Sequence, residues 1–148
     1  MKISTRGRYG LKALIDMARR KDEKCVTVAS IAQNHGISEH YLEQLFASLK
    51  KAGLVKSIRG SGGGYVLSKP PDEISVGDIL RVLERTFMTV CATDDESTHV
   101  CASGNCSVCA AKPVWDKLYG SINNILESYK LSDLANGDQK ESKDADIF

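Results

Sequence analysis

The run from Ser38 to Leu49, SEHYLEQLFASL, constrains this chain more than any other stretch, because it carries two helical faces of opposite character. Leu42, Leu45, Phe46 and Leu49 fall at i, i+3, i+4 and i+7, one apolar stripe. His40, Glu43, Gln44 and Ala47 repeat that spacing two residues out of step. Two residues turn a helix by roughly 200°, so this second set points away from the first. It is short, polar and rich in hydrogen-bonding groups, with no lysine before Lys50. Upstream, Val28 to His35 reads as a short helix capped by Thr27. Gly36 supplies a left-handed turn, Ile37 plugs the joint and Ser38 caps the next helix. Helix, tight glycine turn, helix is the arrangement that presents its second helix to the DNA major groove. A plain helical hairpin also fits these residues, so the flanking sequence has to decide.

Two β-prone runs follow, Leu54 to Ile58 and Tyr65 to Ser68, joined by Arg59-Gly60-Ser61-Gly62-Gly63-Gly64. This predicts a β-hairpin with a glycine-dense tip, and a hairpin directly after the reading helix is the wing of a winged helix. Arg59 is a long cation on a loop thin enough for a minor groove, where arginine is favoured. A nucleotide-binding glycine loop is excluded. Neither glycine-rich phosphate motif can be laid over these residues, and no helix follows them.

Charge divides the chain in the same sense. Residues 1–69 hold 13 Lys+Arg against 5 Asp+Glu, a net of +8, while residues 70–148 hold 7 against 14, a net of −7, which together make the overall +1. A basic half beside an acidic half implies a polyanion-binding module carried with a separate one. At 148 residues the chain has room for one modest core plus an oligomerisation arm. Its start does not read as a signal peptide, and no apolar run nears the roughly 20 residues of a membrane span. A cytoplasmic protein with reduced thiols and no membrane contact is expected. Four of the five cysteines crowd between positions 91 and 109, which points to metal or redox chemistry rather than structural disulfides. None of the three histidines accompanies a nucleophile in a catalytic signature, so an enzyme is not expected.

The rest of the chain reads as follows. Tyr9, Leu11, Leu14, Ile15 and Ala18 predict a first helix from Thr5 to Lys21, with Arg6, Arg8 and Lys12 either touching phosphates or simply solvated. Cys25 reads as a small buried apolar residue. The helix opened by Ser38 should run to about Ala52, with Gly53 as its stop. Ser75-Val76-Gly77-Asp78 is a capping box for a helix through about Arg85, with Ile79, Leu80, Val82 and Leu83 in the core. Pro113 suits the first turn of a later helix. There Trp115, Leu118, Ile122, Ile125 and Tyr129 alternate three and four apart, a seam suited to a second subunit, with packing on the chain's own domain as the alternative. A shorter helix is expected after Ser132, and residues 136–148 read as a disordered tail. The expected division is a winged helix-turn-helix domain (1–86), a cysteine-rich sensor loop (87–111), a dimerisation helix (112–135) and the tail. The fold class is mainly α with a small β-hairpin.

These elements together resemble the Rrf-two family of bacterial regulators, which includes the iron–sulfur regulator IscR, the nitric-oxide sensor NsrR and the cysteine-metabolism regulator CymR. The matching residues are Met1 to Gly10 (MKISTRGRYG), Tyr41 to Leu45 (YLEQL), Gly53-Leu54-Val55, Arg59-Gly60, Gly62 to Leu67 (GGGYVL) and Val76-Gly77-Asp78-Ile79. The resemblance implies a homodimeric winged-helix regulator on a double-stranded DNA operator. Residues matching Ser38, His40, Glu43 and Gln44 would read bases, and Arg59 would enter the minor groove. Thr5, Arg8, Tyr41, Gly60 and Ser61 complete the expected DNA surface. In the iron–sulfur members the residue matching Glu43 helps select among operator types, according to cluster state. Its chemistry agrees, because a glutamate accepts from cytosine N4, and a glutamine such as Gln44 pairs with adenine.

The cysteine segment departs from the pattern of the iron–sulfur members, which place three cysteines about five residues apart. Here Cys91, Cys101, Cys106 and Cys109 are separated by nine, four and two residues. Cys109, four residues before Pro113-Val114-Trp115, resembles the family's last ligand, and Cys91 resembles the first. Either Cys101 or Cys106 takes the middle position. Lys112 stands where some members use a histidine, and His99 is a spare candidate. Four thiolates suffice for a 2Fe–2S cluster. A zinc site closed by the same four cysteines, and metal-free thiols acting as an oxidation switch, are the alternatives. So are a CymR-like regulator governed by a partner protein and, from another class, an iron–sulfur electron carrier that binds no DNA.

Overall fold

Four helices of the described chain start where a hydroxyl is free to cap them. Ser4, Thr27, Ser38 and Ser75 each accept a backbone N–H three residues on, from Gly7, Ser30, Tyr41 and Asp78. Such a cap is worth about 1 kcal/mol to its helix. The computed structural model describes residues 3–84 and 110–137. The capped helices are α1 (Thr5–Arg19), α2 (Val28–His35), α3 (Glu39–Lys51) and α4 (Val76–Leu83). Strands β1 (Val55–Ile58) and β2 (Gly64–Leu67) lie between α3 and α4, and α5 (Lys112–Ser128) and α6 (Leu131–Ala135) close the described chain.

Gly36 sits at φ 62°, the left-handed conformation the tight α2–α3 turn requires. Ile37 is buried behind it. Leu42, Leu45, Phe46 and Leu49 of α3 are fully buried, as the spacing predicts, and meet Leu14, Ile31, Ile79, Leu83 and Leu131 in one core. The hairpin pairs antiparallel in the register Val55↔Leu67 to Ile58↔Gly64. Val26 and Tyr65 exchange backbone hydrogen bonds of 2.9 and 2.8 Å, which adds a third, one-residue rung that the sequence did not announce. The result is a mostly helical winged helix with a two-stranded hairpin, the expected fold class.

Several local expectations are corrected. The first helix ends at Arg19, two residues early, because Arg20 leaves helical geometry and its guanidinium grips Asp16 in a bidentate pair. Its core face is Gly7, Gly10, Ala13, Leu14, Met17 and Ala18, while Tyr9, Leu11 and Ile15 are only partly buried. Val82 of α4 is likewise only partly buried. That helix ends at Leu83, since Glu84 turns extended, and Arg85 lies outside the described residues. The last helix starts at Leu131 rather than after Ser132, because Asp133 caps the Lys130 N–H at 2.9 Å and Leu131 is drawn into the core. Cys25 is half-buried rather than buried, its thiol donating to the Gly62 carbonyl at 3.0 Å.

The end of α5 is tied down firmly. Tyr129 leaves the helix, accepts from the Val76 N–H at 3.0 Å, and Leu131 N–H then donates to the Ile74 carbonyl at 2.9 Å. Arg19 completes the clasp by donating to the free carbonyls of Leu134 and Ala135 at the end of α6. Cys91, Cys101, Cys106, Cys109, His99 and the tail from 138 onward lie outside the described residues.

Candidate nucleic-acid interface

Burying one face of α3 leaves the opposite face to solvent, and the polar residues there are organised. Ser38, His40, Glu43, Gln44 and Ala47 are exposed. His40 bridges its neighbours: its Nε2 meets the Gln44 amide nitrogen at 3.2 Å, and its Nδ1 lies 3.9 Å from a Glu43 oxygen. One imidazole thus orders an acceptor and an amide side by side, the pair of groups that distinguishes cytosine from adenine edges. Tyr41 is placed differently. It is half-buried, its ring edge-on to Tyr9 with centroids 6.1 Å apart, so its body braces α3 against α1.

The wing stands beside this face. Lys50 Nζ at the end of α3 donates to Ser57 Oγ of β1 at 2.7 Å. Arg59, Gly60 and Ser61 are exposed at the tip. Gly60 has φ 116° and accepts from the Gly63 N–H at 3.0 Å, which folds the tip into a tight turn that only glycine adopts without strain. At the start of α1, Thr5, Arg8 and Lys12 are exposed. Arg6 is not a free cation: its guanidinium turns inward, Nε toward the Leu83 carbonyl at 3.4 Å and a terminal nitrogen to Ser48 Oγ at 3.3 Å. Its periodicity set it among the surface cations, and only the approach of α3 and α4 shows otherwise.

Helix α5 has a different character. None of its residues is buried, and Val114, Leu118 and Ile125 are 62%, 45% and 57% exposed. The predicted seam therefore divides. Leu118 and Ile125 face solvent, whereas Trp115, Ile122 and Tyr129 are half-buried. Val114 is the member sequence reading missed, although it stands four residues before Leu118 and eleven before Ile125. The side toward α4 is held by charge. Arg81 donates to Glu127 in a very short contact and also reaches Asp78 at 3.4 Å. Arg81's hydrogen bond, then that of Ser75, holds Glu127 below the usual carboxylate range. Burial pushes Asp78 up, but hydrogen bonds from the Ser75 backbone and hydroxyl, with Arg81 and Lys130 nearby, outweigh it and leave Asp78 lowered.

Among the described residues, no group of three or more His, Cys, Asp and Glu side chains is placed to hold a metal. No helix there is long and apolar enough to cross a membrane.

Comparison with known proteins agrees with this geometry. The family model Rrf2, described as "Iron-dependent Transcriptional regulator", matches residues 3–137. The transcriptional regulator CymR of Bacillus subtilis is 45% identical over 135 residues, spanning 91% of this chain and 90% of that protein. The regulator IscR of Aliivibrio salmonicida is 40% identical over 134 residues, covering 90% of this chain and 77% of its own length. The solved structure of B. subtilis CymR, described as the global cysteine regulator of that organism, superposes with a TM-score of 0.74 at 44% identity, covering 93% of this chain and 98% of that one.

Proposed function

This chain belongs to the Rrf2 family of DNA-binding transcriptional regulators, and from that premise we propose that it is a homodimeric operator-binding protein whose cysteine segment is its sensor. The observation that carries the reading is the ordered outward face of α3, His40 with Glu43 and Gln44, next to a glycine-turned wing bearing Arg59. Ser38, His40, Glu43 and Gln44 read base edges in the major groove. Arg59 with Gly60 and Ser61 enters the adjacent minor groove, and Thr5 and Arg8 fix the register on phosphates.

Dimerisation follows from α5. A 17-residue helix without one buried residue is not self-sufficient, and its Val114, Leu118 and Ile125 face wants apolar cover. A second copy supplies it symmetrically, and a dimer sets the spacing of two operator half-sites. The domain division of the sequence reading, with residues 87–111 between the winged helix and the dimer helix, is part of this proposal.

The donor set of that segment fits a 2Fe–2S cluster. Cys91, Cys101, Cys106 and Cys109 provide four thiolates without a further ligand. Such a cluster would supply a redox-labile group held by the segment's own thiolates. Cys91 and Cys109, by position, would be its firmest ligands, and Cys101 and Cys106 would share or compete for the rest. A second reading is supported by the 45% identity to CymR: the thiols themselves, or a partner protein, carry the signal without a metal.

Protein purified without oxygen decides between them. Near-equal iron and sulfide with visible charge-transfer absorption, lost in Cys91→Ser and Cys109→Ser, supports the cluster. A colourless protein with stoichiometric zinc, or with free thiols and no metal, replaces it by the zinc clasp or the thiol switch. A coloured protein without DNA affinity in any state overturns the operator reading.

A further inference from the structure

Four polar contacts and two glycines connect the end of α4 to both DNA-facing helices. The Glu84 carboxylate accepts from Ser4 N–H at 2.9 Å and Ser4 Oγ at 2.8 Å, and Ser4 is the N-cap of α1. Gly7 and Gly10 let α1 lie directly on this end of α4. A Cβ on Gly7 would collide with the Glu84 carboxylate, and one on Gly10 with the Leu83 side chain. One residue on from Thr5, Arg6 spans from the Leu83 carbonyl to Ser48 of α3. Ser48 Oγ in turn donates to the carbonyl of Gln44, one turn earlier on the reading helix, at 3.2 Å.

We propose that Arg6, Ser48 and Glu84 are positioning residues for DNA reading. They fix the azimuth of α3 and the first turn of α1 to the end of α4, so a displacement there reaches both elements. Glu84 stands three residues before the cysteine-rich segment 87–111, and this last step rests on the sensor reading above. The physical requirement is a chain of polar contacts with few alternative arrangements. Glu84 provides one by gripping backbone and hydroxyl of a single residue, and Arg6 another by spanning two helices with one planar group.

Fluorescence anisotropy of the full chain tests this, on a duplex selected by the protein from random DNA and on a scrambled duplex. Arg6→Ala and Ser48→Ala should each weaken the selected duplex roughly fivefold, the low end of measured couplings between sites. Binding to the scrambled duplex, which depends on phosphates, should stay within about twofold. The double variant should bind no worse than the weaker single, because both substitutions break one path. Wild-type affinity in both singles, or losses that multiply in the double, overturns the proposal. Should Arg6→Ala fail to fold, Ser48→Ala and Glu84→Gln carry the test, since the Ser48 hydroxyl otherwise bonds only within its own helix.

The transmission step has its own arm, comparing iron-free reduced protein with protein reconstituted with iron and sulfide. If the two wild-type forms bind the selected duplex differently, Glu84→Gln should flatten the difference at an unchanged unfolding midpoint. A full difference retained in Glu84→Gln overturns the transmission. Equal binding by both wild-type forms overturns the sensor reading and the transmission together, while the placing of α3 still stands or falls on the double-variant result.

Discussion

The ring of Phe46, on the buried face of the reading helix, lies 4.8 Å from the ring of Tyr65 in the wing, tilted by 51°. Tyr65 is also the residue whose backbone pairs with Val26, just before α2. One aromatic contact thus locks helix, wing and the strand rung into a unit, so the outward side chains of α3 and those at the wing tip keep a fixed separation. Aromatic pairs of this kind contribute about 0.5–1.5 kcal/mol beyond the area they bury.

Replacing Tyr65 with leucine keeps apolar volume but removes the ring contact. Stability should fall by about 1 kcal/mol, and affinity for the selected duplex should fall more than affinity for the scrambled one, because the wing loses its angle. Chemical denaturation and anisotropy together check this. An equal loss on both duplexes would mean the wing angle does not contribute to sequence reading.

Arg59→Ala should weaken operator binding by about 1–3 kcal/mol, the usual size of one good specific contact. Arg59 is exposed on a tip whose turn is fixed by Gly60, so the substitution leaves the fold intact. Titration at one fixed salt concentration measures it. Unchanged affinity would assign the hairpin to folding alone.

Glu43→Ala should relax specificity rather than abolish binding. In the proposed reading the carboxylate selects a base edge, yet near phosphates it also repels the duplex, and its removal lifts that repulsion. It also frees His40, 3.9 Å away, from its acidic neighbour. Cognate and base-substituted duplexes should come closer in affinity. Parallel losses on both would show that Glu43 reads nothing.

Ile125→Asp should convert dimer to monomer with the winged helix still folded. At 57% exposure Ile125 contributes little within its own chain, whereas a carboxylate in a symmetric interface is buried twice. Each unpaired burial costs several kcal/mol. Ile122→Asp, at a half-buried position, should lower the unfolding midpoint as well. Sedimentation velocity and thermal unfolding separate the two effects. An Ile125→Asp dimer would place the interface on another face.

Acid should loosen the α4–α5 clasp before it unfolds the core. Glu127 and Asp78 are held below their ordinary values in the folded chain. A lowered carboxylate contributes stability above the unfolded value and loses it as pH falls through the folded one, here from roughly pH 4 downward. Arg81 and Glu127 are 48% and 43% exposed, so the effect stays below about 1 kcal/mol. Unfolding midpoints should fall less steeply with acid in Glu127→Gln than in the wild type. Identical slopes would remove the clasp from the acid response.

What the sequence determined by itself was whatever short-range chemistry enforces. The caps at Thr27, Ser38 and Ser75, the turn at Gly36, the buried stripe of α3 and the hairpin all follow from hydrogen bonding and periodicity within a few residues. The outward set His40, Glu43 and Gln44 was legible for the same reason, since a helix that buries one face must expose the other. Tertiary structure decided what depends on neighbours far along the chain. Arg6 reads as a surface cation until Leu83 and Ser48 arrive beside it. The seam of α5 reads as one stripe until the fold half-buries Trp115, Ile122 and Tyr129 and leaves Val114, Leu118 and Ile125 to solvent. Tyr129 leaves the helical pattern, and Leu131 opens a new helix, where Val76 and Ile74 offer them backbone partners more than fifty residues upstream. Periodicity records which residues share a face; it cannot record which distant element that face will meet.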